Sequence, residues 1–381
     1  MKNKYFFNSI LLTAYLIINS CDEAQQEEKV EATYSFLIGA YTDNENQGIG
    51  LLSFDPENNL IQTKIMAPGI SNPSFVIANR AQTLVFAVEE TGSEGGGKVL
   101  SYKMDRQTNT LELIDTQSSF GKNPCYLSLD QKEEFLVVGN YSGGNFSAYK
   151  INNGKLEHAQ TYQHEGQSIN PDRQGSPHVH SVVFHPNGKQ LLVGDLGTDK
   201  IHLYDFNPTY AVPFNNANPA YYEVEAGSGP RHLIIHPNGS PVYLVHELTA
   251  EIGVYAYNSG TISKIQTMPL TDEDFVGGVS AAEVRLSPDA KFLYASNRGD
   301  ANEISVFEIE KDGRLTFVER VKSGGEMPRN FIITKDGEYL LSAHQASNTI
   351  TVFDRNQKNG KLTKMNVEGN FNKPSYLFGL D

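Results

Sequence analysis

The stretch SPHVHSVVFHPNGKQLLVGDL, residues 176–196, is the clearest copy of a pattern that recurs along this chain. It contains two apolar runs separated by the turn sequence His185-Pro186-Asn187-Gly188. Short apolar runs joined by a turn rich in Pro, Asn and Gly are typical of a β-hairpin. Similar turns follow at His236-Pro237-Asn238-Gly239, Ser287-Pro288-Asp289 and Lys335-Asp336-Gly337. The chain is therefore expected to be built from repeated hairpins.

Each copy of the pattern starts at an anchor position, and these anchors are Pro73, Pro124, Val179, Pro230, Ala281 and Pro328. Successive anchors are 51, 55, 51, 51 and 47 residues apart, close to the period of about 40 to 50 residues that is typical of propeller blades. A third strand is predicted after each hairpin, with an aromatic residue at one register: Tyr102, Tyr149, Tyr204, Tyr255, Phe307 and Phe353. A fourth is predicted from Leu111, Leu156, Ile262, Leu315 and Leu362. Four antiparallel strands per repeat predict a propeller blade.

The two ends of the repeat region complement each other. Residues 35–41 (SFLIGAY) are similar to the second strand of a repeat, FLVVGNY at 135–141, but no first strand precedes them. An anchor sequence returns near the C-terminus, at Lys373-Pro374-Ser375-Tyr376. The C-terminal strand is expected to complete the blade that the N-terminal strands begin, because this leaves no open sheet edge. We therefore predict an all-β domain over residues 34–381, a seven-bladed β-propeller of four-stranded antiparallel blades. A β-solenoid is the alternative, and it does not explain the split repeat.

The N-terminal segment predicts export. Lys2 and Lys4 precede an apolar stretch, residues 5–18, that is too short to span a bilayer comfortably, so residues 1–20 are predicted to be a signal peptide. Residues 18–21, Ile-Asn-Ser-Cys, resemble the lipobox of bacterial lipoproteins, which implies cleavage before Cys21 and its lipidation. Residues 21–33 then form an acidic tether. We expect an exported protein anchored to a membrane through Cys21, on the periplasmic side or at the cell surface. An ordinary secretion signal with a chance cysteine is the alternative.

Composition excludes several classes of protein. The 381 residues include 31 basic and 45 acidic side chains, and the formal net charge is −14. This acidity argues against binding of nucleic acid through a general electrostatic footprint, and no nucleic-acid motif is present. Two cysteines, without a CxxC sequence, exclude a disulfide framework, a zinc finger and a thioredoxin-like motif.

Several motifs, in order along residues 34–381, resemble the seven-bladed lactonase family, which contains 6-phosphogluconolactonases of the cycloisomerase type and the 3-carboxy-cis,cis-muconate lactonising enzymes. The motifs are SPHVHS (176–181), DLGTD (195–199), GPRH (229–232), the Glu247-Leu248 pair, SAAEVR (280–285) and SNRG (296–299). The resemblance implies a lactone hydrolase with functional residues at His180, Arg231, Glu247 and Arg298. One departure is His246, which stands where the family often has Asn before the glutamate.

The repeat register predicts the same site without the family. In an antiparallel hairpin the start of the first strand lies beside the end of the second, so residues one and about seventeen positions after each anchor reach one rim. These two positions place the following side chains at the mouth of the propeller channel, with His178 close by: Tyr141, His180, Arg231, Glu247, Arg298 and Arg329. Three arginines at one mouth of an acidic chain indicate a small anionic ligand held by charge-assisted hydrogen bonds.

Lactone hydrolysis needs a base that takes a proton from water, hydrogen-bond donors that stabilise the oxyanion, and an acid that protonates the leaving alkoxide. We assign His180 as the base, Glu247 as its orienting or proton-shuttling partner, and Arg231 and Arg298 as clamps on the substrate. His178, Arg329 and Tyr141 are expected to bind substrate, here an anionic lactone, and no cofactor or metal is expected.

Three alternatives remain open from the sequence. In the first, Arg231 and Glu247, which share a blade, form a structural ion pair. In the second, His178 and His180, which lie on one face of a strand, are two ligands of a metal ion. In the third, the protein is a non-enzymatic propeller of the cell envelope that binds a ligand or partner through the same mouth. His185 and His236, which precede turns, are expected to face solvent.

Overall fold

A computed structural model describes residue 1, residues 33–93 and residues 95–380, and the described chain is all-β. The predicted signal peptide, Cys21 and nearly all of the acidic tether lie outside the described residues. Seven four-stranded antiparallel sheets form the blades. No helix in the described residues is long and apolar enough to cross a membrane.

The blades are numbered from the N-terminus, and the strands of each blade run in order from the innermost outward. Blade 1 contains β28 (Pro374–Gly379), β1 (Tyr34–Ala40), β2 (Gly48–Asp55) and β3 (Leu60–Pro68). Blade 2 contains β4 (Val76–Ala78), β5 (Leu84–Glu89), β6 (Lys98–Asp105) and β7 (Thr110–Ser118). Blade 3 contains β8 (Pro124–Leu129), β9 (Phe135–Asn140), β10 (Asn145–Asn152) and β11 (Lys155–Gln163). Blade 4 contains β12 (Val179–Phe184), β13 (Gln190–Asp195), β14 (Lys200–Phe206) and β15 (Phe214–Glu223).

The remaining three blades repeat this order. Blade 5 contains β16 (Pro230–Ile235), β17 (Val242–His246), β18 (Glu251–Asn258) and β19 (Thr261–Pro269). Blade 6 contains β20 (Val279–Leu286), β21 (Phe292–Gly299), β22 (Glu303–Ile309) and β23 (Leu315–Lys322). Blade 7 contains β24 (Pro328–Ile333), β25 (Tyr339–His344), β26 (Thr349–Arg355) and β27 (Leu362–Asn370). The predicted fold class and the number of blades are confirmed.

The C-terminal strand closes the ring as predicted. Strand β28 pairs with β1, with Leu37 opposite Phe378 and Gly39 opposite Tyr376. The side chain of Leu377 is fully buried in an apolar cluster that joins blades 1 and 7. Apolar side chains of the middle strands are buried against the neighbouring sheets in the same way; in β9, for example, all six residues are buried. Both faces of each blade therefore contribute to the core.

A β-bulge interrupts most of the innermost strands just after the anchor residue. In β12, Val179 pairs with Asp195 and Ser181 pairs with Gly194, so that His180 is the extra residue. Register shifts occur at the same place in β8, β16, β20, β24 and β28. A bulge re-aims the side chain of the extra residue. The position one after the anchor is thus presented to the channel by a repeated backbone irregularity.

One expectation about the turns is wrong. His185 is buried instead of facing solvent, because its Nε2 lies 2.9 Å from the carbonyl oxygen of Gly239 in the corresponding turn of the next blade. Its Nδ1 accepts the backbone N–H of Asn187 at 3.1 Å. His185 therefore links two turns at the end of the channel opposite the mouth.

Candidate active site

The side chains at the predicted mouth meet around one cavity of about 220 Å³. Its lining comes from several different blades and from one connection between blades: Tyr41, Glu90, Cys125, Tyr141, Arg173, His180, Glu247, Arg298 and Arg329. Five of the seven predicted mouth residues line the cavity directly. The other two, Arg231 and His178, are not part of this lining and contact residues that are.

Glu247 is the common partner of three guanidinium groups. Its Oε2 accepts from Arg231 Nε at 2.9 Å and lies 3.2 Å from Arg298 Nη2, while its Oε1 accepts from Arg173 Nη2 at 2.6 Å. Burial alone raises the pKa of this carboxyl, but Arg298 and Arg231 outweigh burial and lower the pKa to about 2. Glu247 is therefore ionised at neutral pH and organises the positive charge of the mouth.

His180 is buried beside this carboxylate. Its Nε2 lies 3.7 Å from Glu247 Oε2, which is too long for a direct hydrogen bond. Burial, and after it the charge of Arg231, keeps the pKa of His180 well below its ordinary value. The imidazole is consequently neutral near pH 7 and has a nitrogen lone pair with which to accept a proton.

Cys125 lies on the other side of this imidazole, with Sγ 3.7 Å from Nδ1 of His180. The thiol is buried and forms no disulfide. Burial is also the main reason why the pKa of Cys125 is raised above its ordinary value. The sulfur therefore remains a protonated thiol and not a nucleophilic thiolate.

Arg298 and Arg231 differ in their surroundings. Arg298 lines the cavity, and its Nη2 and Nε also donate to the hydroxyl and the carbonyl oxygen of Ser280, at 2.7 and 3.1 Å. The side chain of Arg231 is only 1% exposed and donates to Glu247 and to the carbonyl oxygen of Ala282. The structural ion pair between Arg231 and Glu247 that the sequence left open is thus present.

A second chain of polar contacts forms the opposite wall. Arg329 Nη2 donates to the hydroxyl of Tyr41 at 2.9 Å, and its guanidinium lies 5.3 Å from the centre of that ring. The Tyr41 hydroxyl in turn donates to Glu90 Oε2 at 2.8 Å, and the Ser74 hydroxyl donates to the same oxygen. The cavity and its surrounding shell therefore combine four arginines with two glutamates, and the local charge is opposite in sign to that of the whole chain.

His178 and Tyr141 form the edge of the mouth. Their rings are stacked with centroids 4.5 Å apart, and His178 Nδ1 lies 3.0 Å from the carbonyl oxygen of Tyr141, so Nδ1 is a donor. Asp195 accepts the backbone N–H of His178 at 2.8 Å. His178 thus fixes the position of Tyr141, whose ring lies against His180 in an edge contact at 5.0 Å.

Four lining residues are not assigned to the site by the sequence. Tyr41 occupies the position in SFLIGAY that Tyr141 occupies in FLVVGNY, and Glu90 is at the same register as Glu247, so the repeat contains a signal for both. Cys125 is at the register of His180. Arg173 belongs to a connection outside the repeat, and no pattern in the sequence indicates its role.

Beside the cavity, a buried polar network crosses from blade 5 to blades 6 and 7. His232 Nδ1 lies 3.3 Å from Glu283 Oε2, which also accepts from Asn330, and Arg285 Nε lies 3.7 Å from Glu283 Oε1. The His232 ring makes an edge contact with His180 at 5.3 Å. His232 and Glu283 therefore hold neighbouring blades together beneath His180 and do not line the cavity.

In the part of the chain that the structure describes, one group of His and Asp side chains brings three potential metal-ligand atoms within 4.8 Å of one another, namely His164, Asp195 and His202. Both carboxylate oxygens of Asp195 already accept hydrogen bonds: Oδ2 from His164 Nδ1 at 2.7 Å, and Oδ1 from the backbone of His178 and Gly197. These hydrogen bonds hold the edge of the mouth in place, which gives the group a structural role.

The chain is similar in sequence and fold to known lactonases. A family model described as a lactonase with a seven-bladed β-propeller matches residues 35–377. A 6-phosphogluconolactonase of Bacillus subtilis is 28% identical over 335 residues, which is 87% of this chain and 93% of that protein. A 6-phosphogluconolactonase of Formosa agariphila is 31% identical over 337 residues, 87% of this chain and 95% of that protein. The solved structure of a periplasmic gluconolactonase of Pseudomonas aeruginosa has a TM-score of 0.87 at 33% identity, covering 92% of this chain and 99% of that one.

Proposed function

Since this chain belongs to the family of seven-bladed β-propeller lactonases, we propose that it hydrolyses a sugar or carboxylate lactone that carries an anionic group, and that it does so without a metal ion. The homologues support a lactonase function. The observation that carries the proposal is the position of a neutral histidine, His180, in a cavity whose other ionisable residues include Arg298 and Arg329.

The first half of the reaction is addition of water to the lactone carbonyl. His180 accepts a proton from the water as its oxygen bonds to the carbonyl carbon, and the carbonyl oxygen becomes an oxyanion. Arg298 lines the cavity and carries donors that stabilise this oxyanion. Arg231, behind Glu247, keeps that carboxylate ionised and in place.

The second half is opening of the ring. The bond between the carbonyl carbon and the ring oxygen breaks, and the imidazolium of His180 returns its proton to the leaving alkoxide. The products are a carboxylic acid, which ionises at neutral pH, and a hydroxyl group. Glu247 contributes through charge, since a carboxylate 3.7 Å away stabilises the imidazolium that forms between the two steps.

The test is proton release from candidate lactones, followed with a pH indicator, for the purified protein and for H180A and E247A. We expect hydrolysis by the unaltered protein, unaffected by a chelator, and a loss of at least about 100-fold in both variants. H236A, on a turn at the far end of blade 5, is the matched control. Absence of hydrolysis with any lactone, together with saturable binding of a glycan or a protein, would favour the non-enzymatic alternative.

We also propose that the protein is exported and held at a membrane by a lipid on Cys21. The proposal is based on the lipobox-like residues 18–21, and the similar Pseudomonas protein is described as periplasmic. The native protein should partition into detergent, and C21S should abolish this partition. Release of the unaltered protein in soluble form would contradict the lipid anchor.

A further inference from the structure

Arg173 is the one cation of the described mouth that comes from a connection between blades. The segment that carries it, residues 164–178, joins β11 to β12 and is the longest such connection in the described chain. The others are residues 69–75, 119–123, 224–229, 270–278, 323–327 and 371–373. We name residues 164–178 the mouth segment.

The mouth segment is fastened at both ends to a single carboxylate. His164, its first residue, donates from Nδ1 to Asp195 at 2.7 Å, and the backbone N–H of His178, its last residue, donates to the other oxygen of Asp195 at 2.8 Å. The Tyr204 hydroxyl lies 2.9 Å from the remaining nitrogen of His164. Asp195 is therefore a buried clamp on which the segment depends for its position.

The middle of the segment is held by two further residues of the DLGTD sequence, Leu196 and Asp199. Ser168 donates to Asp199 at 2.5 Å, and the fully buried Gln174 donates to the carbonyl oxygen of Leu196 at 2.9 Å. The backbone of Gln174 also bonds to Ser168 and Asn170 within the segment. These contacts place Arg173, next to Gln174, over the cavity.

Arg173 differs from the cations that hold Glu247 from within. Its side chain is 41% exposed, whereas those of Arg231 and Arg298 are 1% and 6% exposed. It shares the carboxylate of Glu247 with these two arginines, which remain in contact with Glu247 if Arg173 turns away. Its second partner, the Tyr141 hydroxyl, is 3.4 Å away and therefore weakly bonded.

We propose that Arg173 is a specificity-determining residue. When substrate binds, the guanidinium of Arg173 breaks its contact with Glu247 and binds the anionic group of the lactone at the solvent side of the cavity. The proposal rests on the lactonase function proposed above. Glu247 keeps two cationic partners after this exchange, and the planar guanidinium gains a ligand with bidentate geometry. Asp195 and Asp199 act through Arg173 and are positioning residues.

The test compares two substrates, 6-phosphogluconolactone and the uncharged glucono-δ-lactone. R173Q is expected to lower kcat/KM for the phosphorylated lactone about 10- to 100-fold more than for the neutral one, mostly through KM. R173K, which keeps the charge but not the fork, should recover part of this discrimination. R80Q, an exposed arginine on a turn at the opposite end of the channel, is the matched control.

Other outcomes would overturn the proposal. An equal loss with both lactones, together with a lower melting temperature, would show that Arg173 only supports Glu247. If the unaltered protein hydrolyses neither lactone, the proposed function fails, and calorimetric binding of 6-phosphogluconate then decides about Arg173. Weaker binding by R173Q than by the unaltered protein would support the anion contact, and equal binding would overturn it.

Discussion

Glu247 and its arginines show how residues that look equivalent in a sequence take different tasks. Arg298 borders the cavity, whereas Arg231 is enclosed behind the carboxylate. The repeat register predicts both arginines, because each lies at a fixed distance in sequence from the anchor of its blade. Their difference is a matter of depth, which depends on the packing of neighbouring blades and is not encoded in the spacing of a repeat.

This difference in depth leads to opposite expectations for the two side chains. R298K keeps a charge but loses the bidentate fork, so turnover should fall on the order of 100-fold with little change in melting temperature. R231A leaves the buried Glu247 without one of its partners, so it should lower the melting temperature clearly. Lactone turnover and thermal unfolding of both variants provide the measurement. Unchanged turnover in R298K would contradict its role at the oxyanion.

Cys125 lies next to His180, and the pair superficially resembles a thiol nucleophile with its base. Because burial keeps the thiol protonated, water and not sulfur should attack the lactone. C125A should therefore retain turnover within about threefold, and a thiol-alkylating reagent should not label this residue in the folded protein. A loss comparable to that of H180A would indicate a covalent intermediate.

At the scale of the strand, the hairpin pattern of the sequence predicts every blade, including the split one, because alternating apolar runs and Pro/Asn/Gly turns encode strands locally. The bulges after the anchors are not visible in that pattern, since an extra residue in one strand does not change the order of apolar and polar types. Yet the bulge is what turns His180 and Arg329 into the channel. The mouth segment escapes sequence reasoning for a related reason, because it belongs to no repeat.

Strand β28 makes the blades dependent on one another. Removing residues 372–381 leaves the edge of β1 unpaired and exposes the apolar cluster around Leu377, so the whole ring should lose stability and tend to aggregate. L377A is a milder version that should cost about 2–5 kcal/mol in the free energy of unfolding. L60A, at a strand position 44% exposed, is the control. A truncated chain that melts like the full chain would contradict closure by β28.

At the scale of the whole molecule, several histidines are buried in the uncharged form. Burial lowers the pKa of His232, His246 and His344 to about 4 each. Between pH 6.5 and about 4 the unfolded chain binds protons at these sites and the folded protein does not. The free energy of unfolding should therefore fall as the pH falls through this window, by about 1.4 kcal/mol per pH unit for each histidine.

Denaturant unfolding at about pH 7.5, 6 and 5 measures this dependence. H246Q should reduce the slope of the unfolding free energy against pH by the contribution of one histidine. H236Q, on a turn, serves as the matched control. Equal stability at the highest and lowest of these pH values would contradict the neutral state of the buried histidines. Neighbouring arginines, and for Glu283 also His232, outweigh burial and lower the pKa values of Glu247 and Glu283 to about 2. These carboxylates therefore add a further loss of stability only below about pH 4.5.

The contrast between the mouth and the rest of the surface has a consequence for ionic strength. An approaching anion is repelled by a chain of net charge −14 while it is distant, and is attracted by the arginines of the mouth only when it is near. Dissolved salt screens the distant repulsion more strongly than the short-range attraction, because the screening length is about 8–10 Å at physiological salt. Moderate salt should therefore speed the arrival of a charged substrate, the reverse of the behaviour of enzymes whose whole surface steers their ligand inward.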